Sequence, residues 1–260
     1  MRGEFVDVGG ARLYYYAAGT RGAGEPVVLI HGCLTSSHLW SCVVPCLPEG
    51  HRTVVVDLLG HGRSDPPAGQ PLTARAHAER LVRLLDALCI DRACLVGHGF
   101  GAAVANLVAI FHSPRVSRLC FVNAALRKSR LWSLLRGARY VPTPMLMSAV
   151  RSRIRRGYVD AERGNRSLEH YMRPFATPEG HAVLGAQLAA LPNDENLAAC
   201  LTKPMALVAG ANDPFESVAA AQTVQALNPS ATLDVLSDAH YAPEESPERV
   251  AQIITQLLER

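Results

Sequence analysis

The sequence predicts an α/β fold built on a doubly wound, mostly parallel sheet of eight strands. Short runs of β-branched and apolar residues alternate with longer segments of helical periodicity, which is typical of parallel strands joined by crossover helices. The chain has 260 residues, of which 48% are hydrophobic, and this is enough for one sizeable core. Gly9 and Gly10 separate the first two strand-like runs and predict an antiparallel hairpin there.

The predicted elements follow in order along the chain. The eight strands are residues 5–8, 12–16, 27–30, 53–56, 93–96, 119–122, 204–209 and 232–236. Thr73 is predicted to cap a helix whose leucines recur at helical spacing. Ser246 and Pro247 predict the start of the last helix, as cap and first-turn proline. The apolar face of that helix is Val250, Ile253, Ile254, Leu257 and Leu258.

Residues 125–200 interrupt the alternation and predict a helical cap inserted after the sixth strand. The core domain is then 1–124 together with 201–260. Between 125 and 175 there are twelve Lys or Arg and three acids, against a net charge of +3 for the whole chain. A solvated helical face is the favoured interpretation of this basic stretch. The alternative is a surface for an anionic substrate, a carrier protein or membrane headgroups.

Composition excludes several classes of protein. The net charge of +3 is too small to predict a nucleic-acid partner, and no run approaches the roughly 18 apolar residues of a membrane span. The N-terminal residues lack an apolar signal stretch, which predicts a cytoplasmic location. The seven cysteines are odd in number and show no zinc-site spacing, so we expect free thiols. With no dinucleotide fingerprint either, the sequence implies no metal and no cofactor.

The segment 95–103 predicts a strand, a sharp turn and a helix of small residues. Its pattern is that of the nucleophile elbow G-x-S-x-G, except that Gly99 stands where the serine belongs. A glycine adopts the strained backbone of such an elbow at little cost, but it has no hydroxyl. No acyl-enzyme can therefore form at position 99.

Four further motifs follow predicted strands. His31-Gly32 ends the third strand, and the run 57–64 after the fourth has the pattern D-x-x-G-x-G-x-S. Asp213 follows the seventh strand and His240 follows the eighth. Position 99, Asp213 and His240 thus stand in the order nucleophile, acid, base. Together with the elbow, these motifs resemble the α/β-hydrolase superfamily over nearly the whole chain.

The resemblance implies a role for each of these residues. His240 would be the general acid/base, and Asp213 would orient its ring and stabilise the imidazolium. The backbone N–H groups of Cys33 and Phe100 would form an oxyanion hole. The Cys33 thiol is disfavoured as a replacement nucleophile, since it would compete for the space of that hole.

Other conspicuous polar residues are assigned to structure. Asp57, His61 and Ser64 would brace their turn, and His98 would serve packing rather than chemistry.

Gly99 leaves three hypotheses open. In the first, the chain is an enzyme acting on a small, partly apolar carbonyl or ester compound through the His240–Asp213 dyad, as a hydrolase or a cofactor-free lyase or cyclase. In the second, it is a ligand-binding pseudoenzyme. In the third, it is a serine hydrolase whose nucleophile was replaced by glycine. The retained acid and base favour the first and third hypotheses over the second.

The predicted pocket lies between the carboxyl ends of the strands and the cap, where this fold class binds small molecules. Its candidate wall residues are the aromatic side chains of Trp40, Trp132, Tyr171 and Tyr241. Core packing is the alternative role for each of them.

Overall fold

A computed structural model describes residues 3–20, 24–124, 141–190 and 202–260. Its strands are β1 (Glu4–Asp7), β2 (Arg12–Ala18), β3 (Val27–Ile30), β4 (Thr53–Val56), β5 (Ala93–His98), β6 (Val116–Val122), β7 (Met205–Gly210) and β8 (Thr232–Leu236). They form one sheet in the order β1-β2-β4-β3-β5-β6-β7-β8. β2 runs antiparallel to both of its neighbours, and the other pairs are parallel. The predicted fold class is confirmed.

Helices flank this sheet. They are α1 (Ala74–Ala87), α2 (Phe100–Phe111), α3 (Thr143–Arg156), α4 (Ala161–Met172), α5 (Pro178–Ala189), α6 (Val218–Leu227), α7 (Ala242–Glu245) and α8 (Pro247–Leu258). Thr73 caps α1 as predicted, because its hydroxyl accepts a hydrogen bond from the Ala76 amide at 3.2 Å. The last helix begins at Pro247 with Ser246 in the N-cap position, as predicted, but the Ser246 hydroxyl donates to Asp238 at 2.8 Å and not to the helix.

The sheet brings the predicted motifs to one edge. Every residue of β3, β4 and β5 is buried, because helices cover both faces of the parallel part of the sheet. The parallel strands β3 to β7 all end on the same side, so the residues that follow them gather there. His31, Asp57, Gly99, Asn123 and Asp213 each follow one of these strands.

The described part of the predicted insertion is helical and is tied to the loop that carries His240. Residues 125–140 and 191–200 of that insertion lie outside the described residues, so its bounds stay a prediction. The backbone N–H of His240 donates to the Gly157 carbonyl, just after α3, at 2.8 Å. The Glu245 carboxylate accepts from the amides of Val159 and Asp160 at 2.6 and 3.1 Å.

A buried carboxylate strengthens this junction. Glu244, on α7, accepts hydrogen bonds from the hydroxyls of Tyr158, Ser167 and Tyr171. Burial raises the pKa of Glu244, although the three hydroxyls oppose that shift. Three donors from α4 and the loop before it therefore converge on one acid of the core. None of the described helices combines the length and apolar character that crossing a membrane requires.

Candidate active site

His240 and Asp213 form a buried pair, as the sequence predicts. His240 Nδ1 lies 2.8 Å from Asp213 Oδ2, and the two side chains are 9% and 0% exposed. Burial alone would raise the pKa of Asp213. The charge and hydrogen bond of His240, with amide donors, outweigh burial and hold that pKa at about 2. Asp213 is therefore ionised at neutral pH and can orient the imidazole.

Further donors fix the Asp213 carboxylate. Its Oδ1 accepts from the amides of Phe215 and Glu216 at 2.8 and 3.1 Å. Its Oδ2 also accepts from Asn123 Nδ2 at 2.8 Å. Asn123 has a φ of 46°, a strained conformation that often accompanies function. The sequence reasoning missed this residue, although it is a polar group directly after the buried strand β6.

Two contacts hold the backbone of His240. Gly157 accepts from its N–H, and His98 Nε2 lies 2.8 Å from its carbonyl oxygen. Burial, assisted by the charge of His240, lowers the pKa of His98 to about 3, so the His98 ring is neutral. Because a carbonyl only accepts, Nε2 must carry the proton and donate. His98 thus acts through the backbone of His240, which fits the structural role predicted for it.

Gly99 leaves an open position facing His240. Its φ of 51° and ψ of −115° are values that favour glycine. A Cβ built there would lie 3.7 Å from His240 Nε2, 3.8 Å from Gly32 Cα and 3.9 Å from the Asn123 oxygen. These are ordinary contact distances, so the space beside Nε2 accommodates a small side chain or a water molecule.

The two residues predicted to form an oxyanion hole adjoin residues that border the same space: Phe100 follows Gly99, and Cys33 follows Gly32, whose Cα lies 3.8 Å from the Gly99 Cβ position. Phe100 is also the first residue of α2. Neither N–H donates to an acceptor among the residues described by the structure. His31 braces the loop before Cys33, since it accepts from the Leu58 amide at 3.0 Å and bonds the Gly32 carbonyl at 2.7 Å.

A cavity of about 290 Å³ lies beside His240 across the ring of Phe215, which lines it. Its lining residues are Leu34, Leu146, Ala149, Val150, Ser152, Arg153, Arg156, Leu188 and Phe215. The Phe215 ring lies 5.1 Å from the His240 ring and connects the cavity to the base. The described α3 supplies most of the wall, which agrees with a pocket beneath the cap.

The aromatic residues predicted as walls lie elsewhere. Trp40 is 0% exposed and belongs to the core. The Tyr171 hydroxyl donates to Glu244, and Tyr241 stacks on Tyr158 with ring centres 4.4 Å apart. None of these three lines the cavity beside His240, and Trp132 lies outside the described residues. Large aromatic side chains pack into this core because it can bury their whole surface.

Arg153 and Glu216 are two further ionisable residues near the pair, and neither was predicted individually. The Arg153 guanidinium lies 3.7 Å from the centre of the Phe215 ring. Burial, with the charge of Asp213, raises the pKa of Glu216 to about 8, while Arg153 opposes the shift. Arg153 belongs to the basic stretch of the predicted cap. Part of that basic charge therefore faces the cavity.

Comparison with protein families shows which family the chain belongs to. The sequence profile described as alpha/beta hydrolase fold matches residues 25–247. The chain belongs to this family. Its eight-stranded sheet also agrees with solved structures of the same fold. The chain matches the enol-lactonase from Burkholderia xenovorans LB400 with a TM-score of 0.86, at 23% identity, over 99% of this chain and all of that one.

Curated relatives of this α/β-hydrolase include proteins named as a hydrolase and as a dehalogenase. The 2-hydroxymuconate semialdehyde hydrolase of Pseudomonas sp. (strain CF600) is 38% identical over 107 residues. That match spans only 40% of this chain and 38% of the relative. Haloalkane dehalogenase 2 of Mycobacterium bovis is 25% identical over 97% of this chain and 93% of its own length. The chain thus shares its family with enzymes of these names.

The remaining family motif in this α/β-hydrolase is structural, as predicted. The Asp57 carboxylate accepts from the amides of Ser37 and Arg63, and its carbonyl accepts from the Ser64 hydroxyl. His61 Nδ1 lies 3.1 Å from the Leu59 carbonyl. These bonds close the turn on itself. Across the described ranges, no group of three or more His, Cys, Asp or Glu is arranged to hold a metal ion.

Proposed function

We propose that this enzyme hydrolyses a small, partly apolar ester or related carbonyl compound without forming an acyl-enzyme. His240 Nε2 takes a proton from a water molecule as the water oxygen bonds to the substrate carbonyl carbon. The leaving group then departs with that proton, so His240 ends neutral. The observation that carries the proposal is the intact His240–Asp213 pair, whose free nitrogen faces the open position at Gly99.

The geometry of Gly99 supports direct attack by water. A Cβ there would sit 3.7 Å from Nε2, so a water in this region can reach hydrogen-bonding distance of the base. A serine would occupy the same space with its own hydroxyl. With glycine at position 99, the nucleophile is therefore a water molecule and not a hydroxyl fixed to the protein.

The flanking amides support stabilisation of the tetrahedral intermediate. Cys33 and Phe100 directly follow Gly32 and Gly99, and neither N–H donates to a described backbone acceptor, which supports their assignment to a developing oxyanion. The Phe100 amide also lies at the N-terminus of α2, where the helix dipole favours negative charge.

Two observations limit the nucleophile and the kind of substrate that the site can use. Burial raises the pKa of the Cys33 thiol to about 12, although Arg153 and a backbone hydrogen bond oppose the shift. That thiol is protonated at neutral pH and is a poor nucleophile. The cavity walls are mostly aliphatic, with Arg153 among them, which favours an apolar substrate that also carries a negative group.

Steady-state hydrolysis of p-nitrophenyl acetate and of a small lactone tests the proposal. We expect turnover by the unmodified chain with no initial burst and no covalent adduct in the intact mass. His240→Gln and Asp213→Asn should each lower kcat by about 10²–10⁴. Asp238→Asn is the matched control, since this acid binds Ser246 and leaves His240 untouched.

Three outcomes distinguish the hypotheses. Turnover that survives His240→Gln refutes the dyad. An inactive chain that gains an acyl adduct on Gly99→Ser is a serine hydrolase without its nucleophile. A chain that binds the lactone but converts it in neither form is a ligand-binding protein.

A further inference from the structure

A second cavity, of about 360 Å³, lies between α4 and the 3-10 turn Ser37–Trp40. It shares no lining residue with the cavity beside His240. Polar donors dominate its wall. Eleven lining residues carry side-chain N–H or O–H groups: Tyr14, Tyr16, Thr35, Ser36, Ser37, His38, Ser41, Arg63, His170, Tyr171 and Arg173.

Positive charge in this second cavity has no counterion among the described residues. Neither Arg63 nor Arg173 forms an ion pair with a described carboxylate. Arg63 donates instead to the Tyr14 hydroxyl at 2.9 Å. Asp57 is the acidic residue of the wall, but it is 1% exposed and already accepts from the Ser37 and Arg63 amides.

Two histidines line the same cavity. The rings of His38 and His170 stack with centres 3.9 Å apart. Burial lowers the pKa of His38. Burial, followed by the charges of His38, Arg173 and Arg63, lowers the pKa of His170 to about 4, and Asp57 partly opposes this.

We propose that the second cavity binds a phosphate group, either as inorganic phosphate or as the end of a phosphate monoester. A phosphate has more acceptor oxygens than a carboxylate, and they point in tetrahedral rather than planar directions. That arrangement suits donors that converge from α4, from the 3-10 turn and from the turn after β4. Because the wall is separate from the catalytic residues, this site stands or fails independently of the proposed hydrolysis.

Occupation of the site has a spectroscopic consequence. A bound dianion raises the pKa of His170, because it offsets the charges that lower it. The charges of His38, Arg173 and Arg63 lower the pKa of His170 and that of Asp57 raises it, and the Tyr171 ring lies beside it. His170 also lines a neighbouring cavity, whose charged wall residues are Arg163, Arg166, Glu169, Arg173, Glu244, Glu245 and Glu248.

Proton NMR of the histidine C2–H signals tests the proposal on the full chain. Sodium phosphate is added at constant ionic strength, with sodium chloride as the reference, and His170→Gln assigns the His170 signal. We expect a saturable shift with a Kd of about 1 mM. Arg173→Gln should weaken binding about tenfold, since it removes a charged donor from an exposed side chain.

The matched control and the phosphate source complete the design. Arg151→Gln removes the same charge from an exposed position on α3 that lines neither cavity, and should leave the Kd unchanged. Glycerol 3-phosphate distinguishes the sources: comparable or tighter binding assigns a monoester, and weaker binding assigns the free anion. The proposal is overturned if phosphate gives no saturable shift beyond chloride, or if Arg173→Gln binds as tightly as Arg151→Gln.

Discussion

Replacing Gly99 with serine should convert the site to covalent catalysis. The new Cβ would lie 3.7 Å from His240 Nε2, and no other heavy atom beyond the adjoining residues comes closer. A staggered Oγ then comes within hydrogen-bonding reach of the base. The substitution therefore adds a nucleophile without steric conflict.

The cost of this substitution comes from the backbone. A side chain at a φ of 51° adds about 1–3 kcal/mol of strain. A folded domain with about 5–15 kcal/mol of stability tolerates this. For a chain of this size the melting temperature should fall by about 2–4 °C for each kcal/mol. In subtilisin, removing the serine lowers kcat about 10⁶-fold. Even a partial recovery in Gly99→Ser should therefore raise kcat at least about 100-fold over that of the unmodified chain.

The assay is burst kinetics with p-nitrophenyl acetate, followed by intact mass and thermal unfolding. Gly99→Ser should show a burst, an acetyl adduct and faster turnover. Gly99→Ala carries the same strain without a hydroxyl, so it should melt at a similar temperature and gain nothing. If the serine variant is folded and reacts no faster than the alanine variant, His240 does not serve position 99.

Two other substitutions probe the surroundings of the pair. Gly157→Ala would place a Cβ 2.5 Å from the Tyr241 ring and 3.3 Å from His240 Cβ, so we expect about a tenfold loss of kcat, measured by ester turnover. Glu216 has a folded pKa of about 8, raised first by burial. Protonated Glu216 stabilises the folded chain fully below about pH 4.5, and this stabilisation is lost as pH rises through 8. In urea unfolding, the free energy of unfolding of the unmodified chain should therefore fall between pH 5 and 9. For Glu216→Gln that fall should be smaller by about 2–4 kcal/mol.

Each of these has its own control. Gly50→Ala meets no atom within 4 Å and should leave turnover unchanged, whereas a fully active Gly157→Ala would contradict the close packing at His240. Glu259→Gln is an exposed counterpart that should keep the pH slope of the unmodified chain. A slope that Glu216→Gln leaves intact would mean that another group causes it.

The fold was predictable because its signals are local and redundant. The central strands of β3, β4 and β5 are continuous apolar runs, and such runs predict buried parallel strands without knowledge of partners. Ser246 shows the limit of that reasoning. Its place before Pro247 is typical of a cap, but the hydroxyl has a competing acceptor in Asp238, which comes near only in the folded chain.

The candidate site likewise contains residues that the sequence predicts and residues that only the fold brings together. Asp213, His240 and Gly99 follow strands in a recognisable order, so their positions could be inferred from motifs. Arg153 and Phe215 could not, because they meet across the cavity from a cap helix and a loop. Aromatic side chains alone do not distinguish a pocket wall from a core, since either environment buries their apolar surface. That ambiguity is why the sequence alone did not decide between pocket wall and core for Trp40, Tyr171 and Tyr241.

The backbone hydrogen bond between Gly157 and His240 fixes the C-terminal end of α3 beside the catalytic base. The helix has 14 residues and is about 21 Å long, so its first residue, Thr143, lies far from that point. A pivot of about 10° would displace Thr143 by about 4 Å and leave His240 in place. The acceptor is a backbone carbonyl, although a Cβ at position 157 would come within 2.5 Å of the Tyr241 ring. Leu146, near the Thr143 end, lines the cavity, so a substitution there would change the cavity wall without touching the bond that holds His240.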